Sequence, residues 1–132
     1  MIQNQTKISI KDNSGLLLGR CINAGKQGVV PTLGQRVKVT VLKSKAITKR
    51  KGSKRGALQD LLLVQTKKSI CRNDGSTLKF NGNKGVCVSG SGTKFQYGFK
   101  RINTAVTVEL KKSLGQYGGY GTNIMKLAKN IL

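Results

Sequence analysis

The segment SKAITKRKGSKRGA, Ser44 to Ala57, carries Lys45, Lys49, Arg50, Lys51, Lys54 and Arg55, six cations in fourteen residues without one acid. Cations at that density can bind phosphate, while the plainer alternative is a solvated loop. A second basic group, Lys67, Lys68 and Arg72, follows Thr66 and leads into Asp74-Gly75. Covalent chemistry is poorly supplied. The chain has no His, the commonest acid–base residue and metal ligand. Its four acids, Asp12, Asp60, Asp74 and Glu109, form no sequence-local carboxylate pair. Cys21, Cys71 and Cys87 lie 50 and 16 positions apart, which is no metal-ligand spacing, and an odd number closes no disulfide framework. They read as small apolar residues in a reducing compartment. Gly90-Ser91-Gly92 and Gly118-Gly119-Tyr120-Gly121 match neither a P-loop nor a dinucleotide fingerprint and read as turns. No catalytic residue, metal site, cofactor or small-molecule substrate is expected.

The charge of the whole chain narrows the partner. Lys and Arg number 25 against four acids, giving +21 over 132 residues. Self-repulsion on that scale destabilises a compact state unless a counter-charge is normally present. The two large polyanions available are nucleic acid and anionic membrane. No stretch approaches 18 apolar residues and no basic amphipathic helix opens the chain, so no membrane partner is expected. Cations spread along the whole chain are the footprint of nucleic-acid binding, and pattern alone does not separate RNA from DNA. A disordered basic tail is excluded by the 37% hydrophobic content, arranged in strand-length runs. Length predicts a single domain over residues 1–132. Met1-Ile2-Gln3 leads directly into patterned sequence, which reads as no signal peptide.

The elements that must position these cations are mostly strands. Ile8 and Ile10 end a first run, and Lys11 to Gly15 supplies turn chemistry. Leu16 to Ile22 is largely apolar. Arg36 to Leu42 alternates strictly, with Val37, Val39 and Val41 on one face and Arg36, Lys38 and Thr40 on a cationic outer face. Leu61 to Val64 is a short buried run. Asn73-Asp74-Gly75-Ser76 is a hairpin turn, Asn81-Gly82-Asn83 turns again, and Val86 to Val88 makes another strand. Short strands at this spacing predict a small β-barrel, with the loop 44–57 projecting between two of them. Phe95, Tyr97 and Phe99 share one face of a strand, as core or as a base-stacking platform. Ile102 to Leu110 fits helix and strand periods alike. Ile124, Leu127, Ala128 and Ile131 fit a final helix, which Thr122 or Asn123 can cap.

MIQNQT, DNSG, TKKSICRNDGSTLKFNGNKGVCV and NIMKLAKNIL, in that order, resemble the universal large-subunit ribosomal protein fourteen family. The family's signature is met by Leu62-Leu63-Val64, Asp74-Gly75, Phe80, Asn83 and Val86, and the resemblance runs from residue 1 to 132. It implies a mostly β chain: a small five-stranded OB-like β-barrel over about 1–99, then a small helical lobe over about 100–132. On this basis Ile102 to Lys112 is expected as helix, and Phe95 to Phe99 as a packed link. The implied role is a structural constituent of the ribosome, not an enzyme, that binds large-subunit ribosomal RNA. It lies at the intersubunit face and contributes to a bridge with the small-subunit RNA. The implied protein neighbours are large-subunit proteins three and nineteen and an anti-association factor. The RNA contacts implied are Lys45, Lys49, Arg50, Lys51, Lys54 and Arg55 of the loop, Thr66, Lys67, Lys68 and Arg72, Asn13 and Ser14 of DNSG, and Arg101.

The chain departs from the family at Gln65, where Arg is usual, and at RINTAVTVEL, where RIFGPVTREL is usual. SLGQYGGYGTN is expanded and the basic loop is about one residue longer. Lys outnumbers Arg 19 to 6, with nine Asn, nine Ile, one Pro and no Trp. That bias, with a start at the family's first residue, is similar to a protein encoded inside an organelle, a mitochondrion first, with a plastid or an A/T-rich bacterium open. The competing reading is a free OB-like single-strand RNA binder acting in trans. It needs exposed rings, and only Phe80 stands on the barrel outside the Phe95 to Phe99 cluster.

Overall fold

Val37, Val39 and Val41 alternate with polar side chains, so a strand there buries one face and wets the other. In the computed structural model, which describes residues 2–24, 30–45, 54–89, 96–97, 99–114 and 120–132, this is β3 (Arg36–Ser44), and all three valines are buried. Before it come β1 (Lys7–Ile10) and β2 (Leu16–Asn23), and after it β4 (Leu58–Gln65). Consecutive strands pair antiparallel. The hairpin β5 (Ile70–Cys71) and β6 (Thr77–Leu78) follows, turning at Gly75 with φ +83°. Asp74 Oδ1 accepts from the Ser76 N–H at 2.8 Å and from its hydroxyl at 2.6 Å, so the Asp-Gly turn forms as its chemistry predicts. Then β7 (Lys84–Ser89) pairs antiparallel with β4 and parallel with β1, through Ser9 opposite Lys84 and Ile10 opposite Gly85. That last pairing closes five strands, β1-β2-β3-β4-β7, into a barrel. Where β1 leaves β7, β8 (Gln96–Tyr97) takes over the edge.

The barrel interior holds Ile8, Ile10, Cys21, Val39, Leu61, Leu63 and Cys87, among others. At Gly19 the walls come close. A β-carbon there would stand 2.9 Å from Val39 Cγ2, and the β2–β3 register shifts on either side of Leu18. The run Leu61-Leu62-Leu63-Val64 is buried throughout because its strand has a core on each face. Leu61 and Leu63 point into the barrel, while Leu62 and Val64 join Val86, Val88 and Phe99 in a second core outside it.

That second core is covered by the C-terminal segment, where the structure corrects two expectations. Ile102 to Lys112 is not one helix. It is β9 (Ile102–Val106), a turn, and the short helix α1 (Glu109–Leu114). Ile102, Thr104 and Val106 are β-branched, alternate and face inward. Their backbone is claimed from one side by residues 11–12, since the Asn103 N–H donates to the Lys11 carbonyl at 2.8 Å and Ile102 bridges Asp12. The final helix also ends early. α2 (Tyr120–Leu127) gives way to β10 (Ala128–Ile131), which pairs parallel with β9. The Leu132 N–H then donates to the Val106 carbonyl at 2.8 Å. Ile131, inward by helical period, is half exposed as a result. Thr122 and Asn123 lie within α2 and do not cap it. Phe99 is buried in the second core, so it packs as expected of a link; Phe95 lies outside the described residues.

Leu61→Ala and Leu62→Ala should each cost about 2–5 kcal/mol, one from each core. Amide exchange distinguishes them. Leu62→Ala should expose β9 and α1 first, whereas Leu61→Ala should loosen β1 to β3.

Candidate nucleic-acid interface

The outward positions of the barrel change character from strand to strand. On β4 and β7 they include Leu62, Val64, Val86 and Val88, covered by the C-terminal segment. On β1, β2 and β3 they include Lys7, Arg20, Lys38 and Lys43, all exposed. Register places Lys7 directly opposite Arg20, and Arg20 opposite Thr40, a row without an acid. Like charges facing each other across a strand pair destabilise it, so this row favours an anionic partner. These four cations were not among the expected contacts. The alternation of Arg36, Lys38 and Thr40 signalled a cationic outer face. The pairing of Lys7 with Arg20 had no sequence signal, since register across a hairpin is not visible in composition.

The expected residues divide into several places. Lys45, Lys54 and Arg55 are exposed where β3 ends and β4 begins. The base of that loop is closed by Val41 and Ala57, the Val41 N–H donating to the Ala57 carbonyl at 2.9 Å. Gly56, at φ +86°, makes the turn into β4. Lys49, Arg50 and Lys51 lie outside the described residues. Lys67 and Lys68 are exposed in the bend after β4, at its other end. Eight residues of strand separate the two groups, roughly 25 Å at about 3.3 Å per residue. Lys67 is held there by its N–H, which donates to Asn83 Oδ1 at 2.9 Å. That is a structural use for the family's Asn.

Four expected contacts turn inward or bind the fold itself, and one of them is Arg72, which is half-buried and paired with Glu109. Thr66 is 4% exposed, and its hydroxyl donates to the Lys68 carbonyl. Ser14 is 7% exposed, and its hydroxyl and N–H both donate to Asp12 Oδ1. Asn13 is exposed, but its Oδ1 accepts the Lys100 N–H at 2.9 Å and so ties the first turn to the segment before β9. Arg101 is exposed beside it. Gln65 is buried, and its Nε2 donates to the Ala105 carbonyl at 2.7 Å, a neutral tether from β4 to β9.

All four carboxylates are occupied inside the fold. Asp12 Oδ2 accepts the Cys87 N–H at 2.7 Å, completing a buried clamp between the first turn and β7. Asp60 pairs with Arg36, and Asp74 caps its own turn. The turn's hydrogen bonds from the Ser76 hydroxyl and N–H hold the Asp74 carboxyl below its ordinary range. Glu109 Oε1 accepts from Arg72 Nε at 2.7 Å. Desolvation pushes the Glu109 carboxyl up, but its backbone hydrogen bond and Arg72 outweigh this and hold it low. Burial pushes the thiols of Cys21 and Cys87 up, with the Asp12 charge adding at Cys87, so both stay protonated packing groups as expected. Cys71 departs from that expectation in being exposed. Among the described residues, no group of three His, Cys, Asp or Glu side chains could hold a metal ion.

The Arg72–Glu109 pair makes a prediction with a definite sign. Because folding lowers the Glu109 carboxyl, its stabilisation is present above the ordinary carboxylate range and is lost as pH falls through the lowered value. Glu109→Gln should therefore cost about 1 kcal/mol at pH 7. In urea titrations at pH 3 the gap between the two proteins should narrow.

A closed five-stranded barrel followed by a small segment with two short helices is what the resemblance implied, and the cationic outer face is what the alternation of β3 implied. The family model for ribosomal protein L14p/L23e matches the chain over residues 1–132. The chain belongs to the ribosomal protein L14p/L23e family.

Proposed function

We propose that this chain binds large-subunit ribosomal RNA through the exposed face of β1 to β3 and through the two basic groups at the ends of β4. The observation that carries this reading is the row Lys7, Arg20 and Thr40, where two cations face each other without an acid. With every carboxylate engaged inside the fold, a net charge of +21 is left for an external polyanion. The loop cations Lys45, Lys54 and Arg55 extend that surface, and by sequence Lys49, Arg50 and Lys51 add to the charge of the same segment. Phe99 is buried and Phe80 half buried, which speaks against a stacking platform for single strands.

The finer placement follows from the family. The chain lies at the intersubunit face of the large subunit and contributes to a bridge with small-subunit RNA. Large-subunit proteins three and nineteen are its neighbours, and an anti-association factor docks near the C-terminal segment. Its bias towards Lys, Asn and Ile favours a mitochondrial ribosome over a plastid or bacterial one. Its role is structural rather than catalytic. Barrel and C-terminal segment act as one domain, with boundaries near residue 99.

Sedimentation of native extract tests the assignment: the chain should travel with large subunits, and recovery at the top of the gradient would overturn it. The surface is tested by Lys7→Ser and Arg20→Ser. Each should stabilise the free protein by about 0.2–1 kcal/mol by removing the facing charge. Each should also lower the log–log salt slope of RNA binding by roughly 0.7–0.9. An unchanged slope would show that these two cations do not touch the backbone. Lys67→Ala with Lys68→Ala should lower the slope by about twice as much.

A further inference from the structure

The barrel's outer face carries a row whose chemistry changes in one direction. Strand pairing sets Lys7 of β1 opposite Arg20 of β2, Arg20 opposite Thr40 of β3, and Thr40 opposite Leu58 of β4. Across four neighbouring strands the side chains are thus two exposed cations, a hydroxyl and a leucine that is 67% exposed. Strands lie about 4.8 Å apart, so Arg20 and Leu58 stand roughly 10 Å from each other. Thr40 is half-buried, and no hydrogen bond among the described residues occupies its hydroxyl. Leu58 also lines a hollow of about 260 Å³, which Lys38, Val88 and Ser89 share with the Arg36–Asp60 pair. A uniformly cationic surface explains neither the exposed leucine nor the hollow beside it.

We propose that one nucleotide of the bound RNA lies across this row and that the face thereby distinguishes RNA from DNA. Its phosphate rests on Lys7 and Arg20, its ribose 2′-hydroxyl meets Thr40, and its base lies against Leu58. The inference rests on the RNA-binding reading and adds to it the choice of sugar. From phosphate through sugar to base a nucleotide loses charge, and the row loses charge in the same order. Two opposed cations without an acid suit a phosphate. A threonine hydroxyl donates and accepts, as does a ribose 2′-hydroxyl, whereas deoxyribose offers it neither. Leu58 gives a base apolar contact but no ring to stack on. That suits a single base turned out of a loop or bulge rather than a run of stacked bases. The hollow is small beside pockets for drug-sized ligands, roughly 300–1,000 Å³, and admits one ring. Arg36 neutralises Asp60 there, so the hollow does not repel the RNA. An acidic peptide would satisfy the cations and the leucine, but its binding would not depend on a sugar.

The test uses the full chain and RNA hairpins with a loop of about eight adenosines. The loop alone is ribose, deoxyribose or abasic ribose, so the stem stays A-form. Fluorescence anisotropy should show the ribose loop bound about fivefold more tightly than the deoxyribose loop, the worth of one hydrogen bond. Thr40→Val, which keeps the β-branched shape, should level the two, and Thr40→Ser should restore the preference. The abasic loop should bind the unaltered protein about fivefold more weakly than the ribose loop. Leu58→Thr should remove that difference without changing the salt slope. Equal affinities for ribose and deoxyribose loops in the unaltered protein would overturn the proposal. A sugar preference that survives Thr40→Val, or a base dependence that survives Leu58→Thr, would do the same. So would displacement of the hairpin by an acidic, leucine-bearing peptide at equal concentration, which would give the row to a protein partner. If the sugar makes no difference but Arg20→Ser still lowers the salt slope, the RNA-binding reading stands and only this use of the row fails.

Discussion

The fold depends on two strands that are buried on both faces. β4 and β7 belong at once to the barrel wall and to the floor of the second core. A strand in that position cannot alternate apolar with polar residues, and Leu61-Leu62-Leu63-Val64 does not. Every other placement follows from this double burial. The C-terminal segment must cover Leu62, Val64, Val86 and Val88, so the exposed cationic positions described on the barrel strands fall on β1, β2 and β3, while Lys84 of β7 is half-buried and donates to the Thr104 hydroxyl. The same strand fixes the distance between the two basic groups, since one leaves its first residue and the other follows its last.

Polar chemistry then locks the two halves together. Asp12 is buried at the junction, bonded to Ser14 and to the Cys87 backbone, while the residues around it bridge to β9. Gln65 reaches from β4 to the Ala105 carbonyl, and Asn13 reaches to Lys100. Buried polar groups that are satisfied in this way specify one arrangement, because any other leaves a donor or acceptor dry. This is why residues of the DNSG motif, read as RNA contacts, are largely spent on architecture.

Electrostatics divides along the same line. The four acids are too few to neutralise the surface, and each is used where a particular hydrogen bond is needed. Asp60 and Glu109 each take one arginine out of the exposed set. Among the described residues Lys7, Arg20, Lys38 and Lys43 face solvent, and register sets Lys7 and Arg20 opposite each other. The free protein carries that repulsion as a standing cost, which a polyanion removes. On the proposed RNA-binding reading, stability and binding are set against each other on one surface.

Much of this was legible from local pattern. Strict alternation in RVKVTVL made β3, the Asp-Gly pair made the β5–β6 turn, and the ratio of cations to acids made the partner a polyanion. Those inferences hold because side-chain period, turn propensity and net charge are properties of the chain itself. Three matters were not decided there. Ile102 to Leu110 fits two periods, and the strand prevailed over Ile102–Val106 because Lys11 and Asp12 on one side and β10 on the other complete its hydrogen bonds. Ala128 to Ile131 keeps a helical period but becomes the partner strand, since pairing with β9 satisfies backbone groups that a longer helix would withhold from it. The third is which cations face which. Lys7 and Arg20 are thirteen positions apart, and only the β1–β2 register, set by which side chains fill the barrel, brings them together.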